Sequence, residues 1–271
     1  MSKIVFRVTN SGGVSYITPF AYYDFETGGT QYVTNVLGTN NYTGSFSSDT
    51  DGISNFGLDT DPAFMGSKSV QFPSGFTGRH LSLGTPEERS SWSSLFSGSF
   101  SVSAWVYLPQ TEGNNYLIQD TRIFGQNLKS NAYGFWFGTD RGKPAVYSRT
   151  ATEVGTQAAV QRFGNDDSTN YVGWNHFVFV VDGDTSATNR RIKAYINNTD
   201  FGYVDESTSN AYFQKLFLDD EFVFFGNPQS ANKGEINLDE VSLWSIALSD
   251  AQVSTLYNSG NGVNALSALT S

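Results

Sequence analysis

The stretch EINLDEVSLW, residues 235–244, places Glu235, Asp239 and Glu240 close together in one candidate strand. Two carboxylates about 5 Å apart across a glycosidic bond can cleave it, one as nucleophile and the other as acid and base. Glu235 and Glu240 lie five residues apart, and a strand sets such residues on opposite faces unless a bulge intervenes. A second chemistry is metal binding, since Ca2+ takes carboxylate and carbonyl oxygens. A third makes Asp239 an anchor. Alternation groups Asn237, Asp239, Val241 and Leu243 on one face, and Leu238, Glu240, Ser242 and Trp244 on the other. If Val241 and Leu243 point into a core, Asp239 points there too, and a buried carboxylate needs a partner. Backbone N–H groups or Ca2+ would serve.

Other chemistry-bearing residues are sparse. His80 and His176 are the two histidines and neither has a metal-like partner at close spacing. There is no Cys, which removes disulfides and thiolate zinc sites. No Gly-x-Ser-x-Gly elbow and no Walker-type phosphate loop is present. Acid pairs recur in loops, at Asp49 and Asp51, Asp59 and Asp61, Asp166 and Asp167, and Asp182 and Asp184. They suit either Ca2+ or solvated turns. For glycans the requirement is aromatics that stack on sugar C–H faces, and Trp92 and Tyr116 are the candidates outside the strongest strands.

The formal charge of −10 disfavours nucleic acid as a partner. No apolar run of 18 residues exists to insert into a membrane, and the N-terminus shows no signal peptide.

The elements that must position these groups are strands. Within 271 residues, 22 Phe, 14 Tyr and 5 Trp supply one large core, and 27 Gly sit in short clusters between apolar runs. Residues 101–108 alternate, with Val102, Ala104, Val106 and Leu108 on one face and Trp105 and Tyr107 on the other. Residues 133–138, 143–148, 174–182, 191–197 and 221–226 read likewise. Weaker strands are expected at 4–8, 20–25, 68–72 and 79–83, and residues 38–62 read as a long surface excursion. The loop GDTSATNR joins two strands as a hairpin. One helix is expected from Ser249, its N-cap, with Gln252 completing a capping box, Leu248 and Val253 a staple, and Gly260 a left-handed stop.

FSVSAWVYLP, VGWNHFVFVVDG, RIKAYINN and INLDEVSLWSIALSDAQVSTLY, in this order, resemble the laminin-G-like domains of the concanavalin A-like lectin/glucanase superfamily, over most of residues 20–260. YYDFETGG and SKSVQFPSG resemble its opening and early strands. The resemblance implies an all-β, antiparallel jelly-roll sandwich with a short C-terminal helix, used as a binding module for glycans or proteins and not for catalysis. Domains of this kind are sometimes stabilised by calcium, and for a structural Ca2+ at Asp239 the resemblance points to Asp24 as co-ligand. Family 16 glucanases share this fold and carry Glu-x-Asp-x-(x)-Glu, a catalytic pair that the resemblance would place on Glu235 and Glu240, but Asn237 stands where their middle acid falls. The sequence also departs from the family in Asn197 and Asn198 at a hairpin tip that usually carries Asn-Gly.

The expected organisation is an N-terminal extension or assembly arm over 1–19, the sandwich over 20–262 and a tail over 263–271. The expected role is non-catalytic recognition of a glycan or protein surface through Trp92 and Tyr116. A purely structural assembly subunit is the alternative, and a glucan hydrolase the remote one. An outward-facing fold without a leader suggests a virus or bacteriophage particle surface, with homo-oligomers.

Overall fold

The computed structural model describes residues 17–26, 32–33, 35–37, 44–46, 57–59, 63–72, 79–83, 95, 98–109, 120–126, 134–140, 143–149, 158–163, 171–183, 191–205, 223–227 and 236–268. The strand expected at 4–8, together with Trp92, Tyr116 and Glu235, lies outside them. In chain order the strands are β1 (Ala21–Tyr23), β2 (Tyr32–Val33), β3 (Gly44–Phe46), β4 (Gly57–Asp59), β5 (Ser69–Phe72), β6 (Arg79–Leu83), β7 (Phe100–Leu108) and β8 (Asp120–Gln126). They continue with β9 (Gly134–Asp140), β10 (Lys143–Arg149), β11 (Ala158–Arg162), β12 (Gly173–Asp182), β13 (Arg191–Ile196), β14 (Thr199–Asp205), β15 (Val223–Asn227) and β16 (Ile236–Trp244). Helices α1 (Asp250–Tyr257) and α2 (Ala265–Ala268) follow.

Two antiparallel sheets face each other. The first runs β14-β13-β12-β7-β16-β5-β4, with β1 also pairing β16; the second runs β11-β10-β9-β8-β15-β6-β3-β2. The expected all-β sandwich with a short C-terminal helix is therefore present. Alternation decides what lies between the sheets: Phe100, Val102, Ala104, Val106 and Leu108 of β7 join Phe177 and Phe179 of β12 in one buried cluster. Phe137 of the second sheet stacks on Phe179, with centroids 4.9 Å apart.

The excursion expected over 38–62 contains β3 and β4, three residues each. Each adds to a sheet through a longer neighbour, β6 or β5, so backbone pairing places them without an apolar pattern of their own. The departure at Asn197 and Asn198 is likewise accommodated. Both adopt left-handed backbone (φ 51° and 63°), making the tight two-residue turn between β13 and β14 that Asn tolerates well.

The first sheet's outer face is also covered. Tyr22, Val178, Val180, Tyr195 and Trp244 are buried there beneath Leu248, Val253, Leu256 and Ala265. The capping box is formed: Gln252 N–H donates to Ser249 Oγ at 3.4 Å and Ser249 N–H to Gln252 Oε1 at 2.8 Å. Ser249→Ala should lower stability by about 1 kcal/mol in denaturant unfolding, with no change in the slope of the transition. The left-handed stop falls on Asn258 (φ 47°), two residues before the expected Gly260. Among the described residues no helix is long and apolar enough to cross a membrane.

Candidate functional site

Strand β16 has β7 along one edge and two partners along the other. Ile236–Leu238 pair with β5, and Val241–Leu243 pair with β1. Asp239 and Glu240 occupy the junction where one partner ends and the other begins. Glu240 is in left-handed backbone (φ 51°), and the register against β7 slips between Asp239 and Ser242. This is a bulge, and it corrects the expected facing of the acids. Leu238, Val241 and Leu243 all enter the core, while Asp239 and Glu240 both turn to the outer face. The signal was in the chain: the apolar spacing Ile236, Leu238, Val241, Leu243 breaks its period of two at this point.

Each acid is held by internal donors. Phe64 N–H and Met65 N–H both donate to Asp239 Oδ2 at 3.0 Å, and Glu240 N–H donates to Oδ1 at 2.8 Å. Beyond Gly66, Glu26 takes two further amides, Ser67 N–H at 2.7 Å and Lys68 N–H at 2.9 Å, with the Ser67 hydroxyl at 2.7 Å. The segment entering β5 is thus fixed by two carboxylates, one from β16 and one from the chain leaving β1. The Tyr22 hydroxyl donates to Glu240. Asp239 is 0% exposed and Glu240 7%.

These environments set the charges. Burial pushes Asp239 up to about 8, against the N–H groups of Met65 and Phe64 and with help from the Glu240 charge. Burial, then the charges of Asp24 and Glu26, push Glu240 up to about 7, against the Tyr22 hydrogen bond. Burial raises Asp24 as well. Glu26 is the exception: desolvation pulls it upward, yet the Ser67 and Lys68 donors hold it below its usual range.

Asp24 and Asp239 lie on the two chain segments that meet at this junction, as the pairing of β1 with β16 requires. Their donor set is a poor fit to a shared Ca2+. Three N–H groups already point at Asp239, and Asp24 Oδ1 accepts the Glu26 N–H at 3.1 Å. Among the described residues no group of three or more His, Asp or Glu side chains is placed to hold a metal. The bulge that a hydrolase pair on Glu235 and Glu240 would need is present, but it delivers Glu240 to Tyr22.

Clamping residues 64–68 has an aromatic consequence. Phe64 stacks on Trp105 with centroids 3.6 Å apart, and Tyr257, at the end of α1, stacks on Trp105 and His176. His176 is sealed beneath them. Its Nε2 lies 2.7 Å from Ser103 Oγ, Nδ1 has no hydrogen-bond partner, and burial drives it down to about 3. A neutral, covered imidazole of this kind is a packing group, in keeping with the structural role expected for His176. Tyr22, Glu26 and Phe64, which complete the junction, were missed in the sequence because each acts across a long stretch of chain.

A family model described as the concanavalin A-like lectin/glucanases superfamily matches residues 81–254, more than half of the chain. No curated protein matches it. Among solved structures, the receptor-binding domain of botulinum neurotoxin C/D mosaic serotype aligns with a TM-score of 0.59 and 12% identity, over 89% of this chain and 51% of that one. A botulinum neurotoxin type C structure, described as entering cells through interaction with two ganglioside molecules, aligns with a TM-score of 0.56 and 14% identity, over 89% and 51%. Domain 4 of AbnA, a GH43 extracellular arabinanase from Geobacillus stearothermophilus in complex with arabinotriose, aligns with a TM-score of 0.55 and 16% identity, over 92% and 100%. The chain thus spans about half the length of the neurotoxin structures and all of the arabinanase domain. At these identities the likeness is one of fold.

Proposed function

Because the chain belongs to the concanavalin A-like lectin/glucanases superfamily, we propose that it is a lectin-like module that binds glycans without cleaving them. The observation that carries this reading is the fate of the two β16 acids. Both are closed off and tied to internal donors, so neither stands free to move a proton to or from a bound glycan. The arabinotriose bound to one structural neighbour and the gangliosides tied to another support the glycan class.

The test is a panel of immobilised glycans with the reducing sugar released in solution measured alongside. Retention on at least one glycan with no release is expected. Release of sugar would replace the binding reading with a hydrolase, and retention on protein surfaces alone would remove the glycan. Calcium at Asp24 and Asp239 is tested in the same material. Given the donors around Asp239, the unfolding midpoint should be the same in calcium and in chelator. A rise with calcium that Asp24→Asn removes would establish the ion.

The finer proposal is display on a virus or bacteriophage particle, as a receptor-binding or decoration subunit that self-associates. Sedimentation of a monomer that does not associate with particles would count against it.

A further inference from the structure

Strand β14 closes one end of the first sheet, and a tyrosine on it is turned away from the core. Asp200 stands opposite Tyr195 and Tyr203 opposite Lys193, so β14 carries one residue more than β13 between these pairs. The bulge falls at Phe201 and Gly202. Gly202 is left-handed (φ 84°), and its N–H donates to Asp200 Oδ1 at 2.7 Å. In an unbroken strand Phe201 and Tyr203 would share a face. Here Phe201 packs against the core, while Tyr203 is 54% exposed, the most open large apolar side chain among the described residues. Bulges re-aim side chains, and the one re-aimed here is a bare aromatic ring.

The ring is held in place. Arg191 of β13 stands over it, with its guanidinium carbon 4.8 Å from the ring centroid. Beside it, Lys193 Nζ lies 3.4 Å from Asp250 and 3.5 Å from Asp200, and the Tyr195 hydroxyl donates to Asp250 at 2.7 Å, which ties this corner to α1. Lys193 is therefore committed, but Arg191 is not. Among the described residues neither Arg191 nor Asp182, which faces it across the β12–β13 pair, is hydrogen-bonded or ion-paired, and both are exposed. A guanidinium stacked on a ring keeps its N–H groups in its own plane, free to donate at the rim. Asp182 and Arg191 share the outward face with Tyr203, since their neighbours Val181 and Ile192 enter the core. Two strand spacings of about 4.8 Å separate β12 from β14, so the three groups span the length of a disaccharide.

These groups select their occupant. Asp182 is an acceptor that cannot donate, Arg191 is a donor that cannot accept, and both stand by an apolar ring. Sugar hydroxyls satisfy both, while the C–H face that carries them covers the aromatic. A uronate, sialate or sulfate would pair with Arg191 but would meet the carboxylates of Asp182 and Asp200 in a chain of net charge −10. An amino sugar would suit Asp182 and meet Arg191. We propose that Tyr203, Arg191 and Asp182 form a subsite for a neutral oligosaccharide, with a sugar C–H face on Tyr203 and hydroxyls shared between the guanidinium and the carboxylate. It rests on the glycan reading above and adds the place and the ligand class.

The experiment is calorimetric titration of the whole chain with cellotriose, xylotriose, arabinotriose, maltotriose, the anionic trigalacturonate and the cationic glucosamine trimer. At least one neutral trisaccharide should bind saturably, and neither charged one should bind more tightly. Tyr203→Ala should weaken binding about tenfold, as expected for loss of one stacking ring. Arg191→Ala and Asp182→Ala should each weaken it several-fold. Leu266→Ala, on an exposed apolar side chain of α2, should leave it unchanged, and circular dichroism checks that each variant is folded. Binding that survives Tyr203→Ala, Arg191→Ala and Asp182→Ala would overturn this subsite while leaving the glycan reading standing. Tighter binding of trigalacturonate or of the glucosamine trimer would overturn the neutral class. No binding of any sugar at millimolar concentration would overturn the subsite and the glycan reading together.

Discussion

Asp239→Ala is expected to lower the thermal unfolding midpoint by about 6–12 °C, corresponding to about 3 kcal/mol in a chain of this size. The substitution removes the acceptor of three backbone N–H groups, from Phe64, Met65 and Glu240. It also relieves the desolvation of a buried carboxylate. The orphaned donors win, because each buried N–H without a partner costs about 1–3 kcal/mol. Asp239→Asn should fall between, since its one oxygen can serve Phe64 and Met65 while its amide meets the Glu240 N–H donor to donor. The effect should be visible at Trp105, whose stacking on Phe64 depends on the clamp, as a red shift in tryptophan emission. A midpoint within 2 °C of the parent, with emission unchanged, would show that the clamp does not hold the loop.

Stability should fall as pH rises from about 6.5 to 8, by on the order of 2 kcal/mol. The folded protein holds Asp239 near 8 and Glu240 near 7, whereas in the unfolded chain both return to about 4. Between those values the folded state binds more protons, so raising pH favours unfolding. His176 acts in the opposite sense below about 6.5, because its folded value near 3 leaves the unfolded chain with more protons there. The two acids are therefore unopposed in the upper window. Glu240→Gln isolates the cause: its amide oxygen still accepts the Tyr22 hydroxyl, while the buried charge is gone. The variant should be more stable than the parent at pH 8 and show a shallower decline. Calorimetry at half-unit steps reads both, and a parent midpoint that climbs over this window would refute the assignment.

Strands whose side chains follow a period of two were legible in the sequence. Residues 101–108, 174–182 and 191–197 appear as β7, β12 and β13, and the face expected to unite Val102, Ala104, Val106 and Leu108 is the one buried between the sheets. Helix α1 was legible from its cap. Strands β3 and β4 were not, since GSF and GLD carry no pattern that separates them from turns. At the site, Asp239 was recognisable as an anchor by its cost of burial, but its direction showed only in the break of the apolar period after Leu238. One residue in left-handed backbone reverses the face of everything before it, and a glutamate announces such a conformation far less clearly than a glycine. Phe64 and Met65 were beyond reach for another reason: the hydrogen bonds that matter cross about 175 residues, and local pattern does not encode them.

The divided edge of β16 also governs the order in which the molecule can assemble. This strand lies inside its sheet, between β7 and the pair β5 and β1, yet comes late in the chain. Until it docks, Ala21–Tyr23 has no ladder to join, and Val70 and Phe72 lack the neighbour against which they are registered. Closing those contacts means gathering segments more than 160 residues apart, an entropic barrier that makes folding slow and leaves apolar strand edges open meanwhile. Chains cut before Ile236 would lose the central seam of the sheet, and aggregation would be their fate.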